Sequence, residues 1–254
     1  MPEDLKTDQP PNQSSDQLQI TDLPSPNCDD RPAGQKVDIL VLHYTGMPDG
    51  PQAIRRLRDP QSKVSAHYVI EWDGSISRLV PEEKRAWHAG VSAWKGERDI
   101  NARSIGIEIV NPGHEFGYRA FQLPQMDALV ALIKDIKTRH DIPPERVLGH
   151  SDVAPFRKQD PGELFDWHRL SVEGIAIWPT PKLVNWTDEQ FLEALQIYGY
   201  DVTGPDKLPP NVDRKAIARA CCIAFCRHFR PAVMKATPDP EMKTILAGLV
   251  DKLR

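Results

Sequence analysis

Two histidines and an aspartate stand where a bound metal could use them. The string "RVLGHSDVAPFRKQDPG" holds His150 at the end of an apolar segment and Asp160 ten positions later, across a loop that contains Pro155. His43 lies near the end of a second apolar segment, "VDILVLHYT". Two imidazoles and a carboxylate are the ligand set of catalytic zinc sites, which keep a fourth position open for water. If the two segments are neighbouring strands that run the same way, both histidines reach one edge of a sheet.

Two further charged residues could act on a substrate beside such a metal. Glu108 lies within the apolar segment "SIGIEIV", where a buried carboxylate is costly unless it is paired or functional. If Glu108 faces the metal, it could accept a proton from the attacking water; a strand carboxylate that faces solvent is the alternative. Lys158 would place an ammonium group near Asp160, where it could stabilise an oxyanion, although a lone loop lysine is usually a surface charge.

The pattern of apolar residues predicts the elements that must position these groups. Strands are indicated by continuous apolar runs, a hairpin by Asp73-Gly74, and an amphipathic helix by apolar residues at helical spacing over residues 123–142. The predicted strands cover residues 37–45, 65–81 (the hairpin), 104–111 and 143–150. Because strands and helices alternate, we expect an α/β fold with a mixed central sheet flanked by helices, followed by a small three-helix domain.

Composition divides the chain into three parts. Residues 1–25 are polar and rich in proline and are predicted to be a disordered tail. Residues 26–180 form the predicted main domain, and the string "WPTPKL" suits a linker. Residues 187–254 are predicted to form three helices, the first of which opens with a capping pattern of Thr187 and Gln190. A unit of this size is marginal by itself.

Charge and cysteine usage restrict the partners. The 254 residues carry a net charge of −4, which gives no sign of a nucleic-acid or membrane surface, and no apolar run is long enough to span a membrane. The first residues lack the basic start and apolar stretch of a secretory signal, which favours the cytoplasm. Cys222 and Cys226, with His228 nearby, make a second metal site imaginable; small buried apolar residues are the favoured alternative.

Six short motifs occur in an order that points to a known family. They are "LHYT", "SAHY", "RAWHAG", "NARSIGIEIVN", "GHSDVAPFRKQDPG" and "FDW". Over about residues 26–179 the chain closely resembles the zinc-dependent N-acetylmuramoyl-L-alanine amidases, which share a fold with peptidoglycan recognition proteins. The helices after residue 187 resemble, more loosely, the peptidoglycan-binding domain that is often attached to such amidases.

The resemblance implies a role for each motif residue. It implies that His43, His150 and Asp160 bind zinc, that Glu108 is the catalytic carboxylate and that Lys158 assists it. The remaining motif residues are implied to line the substrate groove, with a packed, hydrogen-bonded position as the alternative for the last: Trp87, His88, Ala89, Asn101 and His67.

The implied reaction is hydrolysis of the amide bond between N-acetylmuramic acid, or its anhydro form, and the L-alanine of the stem peptide. Peptidoglycan fragments or muropeptides are the implied partners, zinc the implied cofactor, and cell-wall recycling or turnover the implied role. A module that recognises muropeptides without cutting them is the alternative function. The attached helices resemble those of amidases that act on polymeric wall, so the periplasm or cell envelope is the alternative to the cytoplasm.

Overall fold

The computed structural model describes residues 18–204 and 212–253. Within these residues the strands are β1 (Ile20–Asp22), β2 (Cys28–Asp30), β3 (Ile39–Tyr44), β4 (Tyr68–Ile70), β5 (Ile76–Arg78), β6 (Lys84–Ala86), β7 (Ala93–Trp94), β8 (Glu97–Arg98), β9 (Ser104–Ile109) and β10 (Val147–Gly149). The α-helices are α1 (Gly50–Arg58), α2 (Ile100–Arg103), α3 (Gly113–Phe116), α4 (Leu123–Lys137), α5 (His150–Val153), α6 (Trp167–Val172), α7 (Asp188–Tyr198), α8 (Arg214–Phe229) and α9 (Pro240–Lys252). Among the described helices, none combines the length and the apolar character that a membrane crossing requires.

Six of the strands form one mixed sheet in the order β1-β5-β4-β9-β3-β10. β4, β9, β3 and β10 pair in parallel, while β5 returns antiparallel to β4 through the predicted Asp73-Gly74 turn. The predicted mixed α/β sheet is therefore confirmed. The two strands that lead to His43 and His150 are neighbours, and they run in the same direction.

Alternation along β3 directs its side chains to two apolar layers. Leu40 and Leu42 pack in a cluster with residues of α4 on one face of the sheet. Ile39 and Val41 belong to a different cluster on the opposite face. Because side chains alternate between the faces of a strand, His43 falls on the same face as Ile39 and Val41.

The C-terminal helices pack on that second face. Phe191 of α7 and Phe225 of α8 belong to the same apolar cluster as Ile39 and Val41 of the sheet. The start of α7 is the predicted capping box: the Thr187 side chain accepts from the backbone N–H of Gln190, and the Gln190 side chain accepts from the backbone N–H of Thr187. The division into separate domains at residues 180 and 187 stays a prediction, and the two parts share one apolar core.

The predicted disordered tail extends too far along the chain. Ile20–Asp22 form β1, which pairs in parallel with β5 at the edge of the main sheet, and the Arg78 guanidinium donates to Asp22 at 2.7 Å. The prediction of disorder over residues 1–25 is therefore wrong for these residues, because pairing with an exposed sheet edge orders a segment that lacks a strong apolar pattern of its own. The part of the prediction that covers residues 1–17 lies outside the described residues.

Candidate active site

A cavity of about 580 Å³ opens beside the carboxyl ends of β3, β9 and β10. His43 of β3 stands in register with Glu108 of β9, and His150 follows β10 directly. The loop after α5 then returns to the same place. As a result, the cavity wall contains five residues that the sequence singles out for chemistry: His43, Glu108, His150, Lys158 and Asp160.

Three ligand-type atoms converge in this wall. The Nδ1 atoms of His43 and His150 lie 2.9 Å apart, and each lies 2.9 Å from Oδ2 of Asp160. All three side chains are buried. Within residues 18–204 and 212–253, they form the one group of three or more potential metal ligands that stand this close together.

The donor set has the chemistry that a divalent metal requires. The Nε2–H of His150 donates to the carbonyl oxygen of Ala89 at 3.1 Å, which leaves the Nδ1 of a neutral ring with its lone pair. Two such nitrogens and an ionised carboxylate oxygen repel one another at 2.9 Å unless a cation lies among them. Neutral imidazole and carboxylate suit zinc, and three protein ligands match the number in catalytic zinc sites.

The charge states of the buried candidate ligands agree with this arrangement. Burial lowers the pKa of His43 to about 4, and the nearby His150 ring contributes. Burial opposes the ionisation of Asp160, but the His150 and His43 rings outweigh it and hold the pKa of Asp160 well below its usual range. At neutral pH, His43 is therefore neutral and Asp160 is ionised, which are the forms that bind metal ions.

Glu108 presents an unsatisfied carboxylate to the same cavity. Its side chain is half-buried, and its Oε2 atom is buried without a hydrogen-bond partner among the described residues. Burial raises the pKa of Glu108 well above its usual value, the charge of Asp160 adds to this, and the ammonium group of Lys158 opposes it. A carboxylate with a raised pKa and no fixed partner is a stronger base and is free to accept a proton.

Lys158 lies on the exposed rim of the cavity, in the loop that joins two of the candidate ligands. Its backbone N–H donates to Ala154 at 3.0 Å, and the backbone N–H of Ser151 donates to the carbonyl oxygen of Asp160 at 2.9 Å. These bonds turn the loop so that Asp160 comes back to His150. The same turn places Lys158 beside the three candidate metal ligands.

Trp87 and His88, two of the candidate groove residues, lie on the cavity wall. Trp87 is half-buried, and its indole N–H donates to Asp29 at 2.7 Å. His88 is buried, and its Nδ1 atom lies 3.1 Å from Nε2 of His43. Contact between these residues and a substrate stays a prediction, and for His88 the structure adds a contact with a candidate ligand.

Ala89, Asn101 and His67 are buried behind this wall. The Oδ1 atom of Asn101 accepts from the backbone N–H of Ala89 at 2.8 Å, which fixes the loop that carries the wall residues. His67 accepts from the backbone N–H of Gly106 through Nδ1 and contacts the carbonyl oxygen of Lys84 through Nε2. Their predicted contact with substrate stays a prediction; for His67, these bonds match the alternative of a packed, hydrogen-bonded residue.

Several charged residues of the cavity were not singled out from the sequence. Arg56, Glu115 and Arg157 also contribute to the wall. The Arg157 guanidinium donates to the carbonyl oxygens of Ala89 and Val91 at 2.9 and 2.7 Å. For Arg157, the available signal in the sequence was its position next to Lys158, in the loop between two candidate ligands. Arg56 gives no such signal, because it lies on a helix with an ordinary polar face.

The cysteine-rich segment does not assemble a second metal group in the described part of the chain. Cys221, Cys222 and Cys226 are buried in the apolar core, and burial raises the pKa of Cys222 to about 12. The Nδ1 atom of His228 instead lies 2.7 Å from the carboxylate of Asp152. The cysteines therefore behave as small apolar residues, which was the favoured alternative.

The sequence matches a family profile described as N-acetylmuramoyl-L-alanine amidase over residues 33–163, just over half of the chain. The chain is 38% identical over 240 residues to N-acetylmuramoyl-L-alanine amidase AmiD of Escherichia coli (strain K12), a match that covers 85% of this chain and 83% of AmiD. It is 37% identical over 167 residues to 1,6-anhydro-N-acetylmuramyl-L-alanine amidase AmpD of the same organism, covering 59% of this chain and 89% of AmpD.

The fold is shared with solved structures of such relatives. The structure of AmpDh3 from Pseudomonas aeruginosa in complex with anhydromuramic pentapeptide superposes with a TM-score of 0.75 at 35% identity, covering 87% of this chain and 94% of AmpDh3. The structure of AmiD in complex with anhydro-N-acetylmuramic acid-L-Ala-D-gamma-Glu-L-Lys gives a TM-score of 0.73 and covers 85% of this chain and 89% of AmiD. Matches of this extent include C-terminal helices, whereas the match to AmpD is much shorter.

Proposed function

The chain belongs to the N-acetylmuramoyl-L-alanine amidase family, and we propose that it hydrolyses muropeptides with a zinc ion held by His43, His150 and Asp160. The bond cleaved is the amide between the lactyl group of N-acetylmuramic acid, or its anhydro form, and L-alanine of the stem peptide. The observation that carries this proposal is the convergence of three ligand atoms at mutual distances of 2.9 Å beside Glu108.

A zinc ion held by these residues supplies Lewis-acid polarisation of a carbonyl oxygen and lowers the pKa of water. The chain's own contribution begins with the ligands. Their burial excludes competing water, and the bond from His150 to the Ala89 carbonyl oxygen fixes one ring. Such bonds to the second nitrogen of a ligand histidine orient the ring and raise its basicity.

Glu108 carries the proton transfers in the proposed reaction. Its carboxylate accepts a proton from the water whose oxygen attacks the lactyl carbonyl carbon. When the carbon–nitrogen bond breaks, the protonated Glu108 returns that proton to the amine nitrogen of L-alanine. The products are a muramic acid with a free carboxyl group and a free stem peptide, and Glu108 ends in its starting state.

Lys158 stabilises the negative charge that develops on the carbonyl oxygen during the attack. Lys158 lies on the cavity rim, and its positive charge opposes the rise in the pKa of Glu108. A cation that is placed before the charge develops needs little reorganisation during the reaction.

Anhydro-muropeptides are the proposed substrate form, and recycling or turnover of the cell wall is the proposed role. AmiD and AmpDh3 have been solved with anhydromuramic peptides, and AmpD is named for the 1,6-anhydro sugar. A cavity of about 580 Å³ falls within the range of sites for small ligands. Hydrolysis rates on anhydro-muropeptides and on polymeric peptidoglycan, compared at equal concentrations of the scissile bond, test this substrate preference.

The cytoplasm is the proposed compartment. All four cysteines are unpaired thiols, which is the usual state in a reducing compartment. Fractionation of native cells tests this placement, and recovery of the protein in the periplasm would contradict it.

The helices after residue 187 are proposed to bind peptidoglycan, as the sequence resemblance suggested. The long matches to AmiD and AmpDh3 support a shared architecture in this region. Co-sedimentation with purified peptidoglycan, using a chelated sample to prevent cleavage, tests the binding. A protein that stays in the supernatant would contradict it.

The decisive experiment for the reaction measures release of free stem peptide from a purified muropeptide. Wild type, Glu108→Gln, a chelated sample and the chelated sample after zinc is restored are run in parallel, and bound zinc is counted in each. We expect peptide from the wild type and the restored sample only, with normal zinc content in Glu108→Gln. If zinc and muropeptide bind but no peptide appears, the alternative of a non-catalytic recognition module replaces this proposal.

A further inference from the structure

The two faces of strand β9 carry different kinds of residue: isoleucines on one face, and serine, glycine and glutamate on the other. Ile105, Ile107 and Ile109 pack in the apolar cluster that contains α4. The alternate residues Ser104, Gly106 and Glu108 therefore share the other face. Glu108 has a role in the proposed reaction, whereas Ser104 and Gly106 have none, and both of them contact His88.

The hydroxyl group of Ser104 fixes the tautomer of His88. Ser104 is fully buried, and its Oγ–H donates to the carbonyl oxygen of Ile100 at 2.7 Å. Because a serine hydroxyl has one hydrogen, the contact of 3.1 Å between Ser104 Oγ and His88 Nε2 requires the hydrogen on the histidine. His88 therefore carries its proton on Nε2 and presents the lone pair of Nδ1.

That lone pair faces a candidate metal ligand. Nδ1 of His88 lies 3.1 Å from Nε2 of His43, so the Nε2–H of His43 donates to it. A neutral imidazole ring carries one N–H, and in both rings the hydrogen bonds place it on Nε2. The remaining nitrogen of His43, Nδ1, is then unprotonated and directed at Asp160 and His150.

Two backbone features hold His88 where this chain of bonds needs it. A Cβ atom at Gly106 would lie 2.4 Å from Cγ of His88, so the ring rests against a position of the strand that has no side chain. Asn101 accepts the backbone N–H of His88 at 3.1 Å through Oδ1. The His88 ring is therefore held by contacts at its backbone N–H, at the ring face and at both ring nitrogens.

We propose that His88, backed by Ser104, is a positioning residue that holds His43 in the tautomer and orientation required for metal binding. The relay runs from the Ile100 carbonyl oxygen through Ser104 and His88 to His43. This proposal rests on the proposed function, because it takes His43 as a zinc ligand. A ligand histidine more often donates to a carboxylate, a backbone carbonyl or water, and loss of such a partner typically lowers metal affinity 10–100-fold.

The test uses two substitutions of similar size at His88 in the full chain. His88→Asn retains an acceptor at the δ1 position, and His88→Leu retains a branched side chain without one. Zn²⁺ affinity is measured by competition with a chromophoric chelator. We expect His88→Leu to bind Zn²⁺ about 10–100-fold more weakly than wild type, and His88→Asn to recover much of the loss.

Ser104→Ala tests whether an effect on Zn²⁺ binding can pass through His88, because Ser104 is not one of the candidate ligands. The matched control is Ser25→Ala, which removes a buried hydroxyl that donates to Leu57 and accepts from Asn27. We expect Ser104→Ala to weaken Zn²⁺ binding and Ser25→Ala to leave it unchanged. In two-bond ¹H–¹⁵N spectra of the metal-free protein, His43 should show its hydrogen on Nε2 in the wild type and a mixture of tautomers in Ser104→Ala.

The outcomes separate this proposal from the metal assignment. His43→Ala is measured beside the other variants, and unchanged Zn²⁺ affinity in that variant would remove His43 from the ligand set and with it the proposed site. If His43→Ala loses Zn²⁺ but His88→Leu and Ser104→Ala bind it like the wild type, the relay is overturned and the metal site stands. Wild-type spectra with the His43 hydrogen on Nδ1 would also overturn the relay.

Discussion

Glu108 combines a role in the proposed reaction with an unfavourable position in the fold. Its buried oxygen lacks a partner in the described part of the chain, and burial raises its pKa well above the usual value. A raised folded-state pKa means that folding favours the protonated form. The associated stability is complete below the unfolded-state pKa and is lost as the pH rises through the folded-state value.

The variant Glu108→Gln should therefore be more stable than the wild type when both are free of metal. We expect the difference to be small near pH 4 and to grow as the pH rises to 8, because only the wild type must ionise a buried carboxyl. Urea unfolding of both proteins between pH 4 and 8, in the presence of a chelator, measures this difference in the free energy of unfolding. A constant difference at all pH values would contradict the argument, and Glu193→Gln, at an exposed position on α7, serves as the control.

Lys158 should set the pH at which the enzyme becomes active. Its ammonium group lowers the pKa of Glu108, and the acidic limb of kcat/KM reports the ionisation of the essential base in the free enzyme. Lys158→Met should move that limb to higher pH, whereas Lys158→Arg, which keeps the charge, should move it less. The measurement is the pH profile of stem-peptide release, and a limb that stays in place in Lys158→Met would exclude the electrostatic link.

At the scale of elements, Asp152 connects the loop between the candidate ligands His150 and Asp160 to the C-terminal helices. It lies in α5, two residues after His150, and is fully buried. Its carboxylate accepts from the Tyr200 hydroxyl at 2.5 Å and from the backbone N–H of Gly149 at 2.7 Å, and it lies 2.7 Å from Nδ1 of His228. The helix α5, which begins with the candidate ligand His150, is thus hydrogen-bonded to the C-terminal helical layer that covers it.

Two neighbouring tyrosines offer a matched test of that anchor. Tyr200→Phe removes a hydrogen bond to a buried carboxylate, and we expect a loss of about 1–3 kcal/mol in the free energy of unfolding. Tyr198 is equally buried, but its hydroxyl has no hydrogen-bond partner within the residues described. Tyr198→Phe should therefore be neutral or stabilising. Urea unfolding compares the two, and equal effects would show that Asp152 is not the cause.

The sequence predicts local elements well because each carries its own pattern. The runs that become β3 and β9 are continuous and apolar, and the capping pair at Thr187 stands within three residues. The link from Asp152 to His228 joins residues 76 positions apart, so no local spacing indicates it. β1 was missed for a similar reason, since its order comes from the edge of β5.

In the candidate site, too, the sequence predicts some features and not others. The ligand types and the strand ends predict that His43 and His150 meet, because parallel neighbours share an edge. The position of His88 depends on the missing side chain at Gly106 and on a hydroxyl of the same strand. These contacts form only after β9 is placed beside the loop of His88, so the sequence assigned His88 to the groove alone.

For the whole molecule, the shared apolar core determines how the chain unfolds. Trp94 of β7 is 1% exposed and packs against Tyr198 and Tyr200, and Phe191 and Phe225 lie in the same cluster. Removing the C-terminal helices would expose this face to water, at a cost that scales with the apolar area uncovered. Among the described residues, the cluster between the sheet and α4 contains no residue of α7, α8 or α9, whereas the cluster on the opposite face combines residues of both parts.

Thermal unfolding of the full chain should therefore proceed in a single cooperative transition, although the sequence divides it into domains. Excess zinc should move the whole transition upwards, since a ligand that binds only the folded state adds about 2.7 kcal/mol at one hundred times its Kd. Calorimetry measures both effects, with equal calorimetric and van 't Hoff enthalpies as the criterion. Two transitions, of which zinc moves only one, would mean that the helices fold independently of the metal site and that the anchor at Asp152 is not coupled to it.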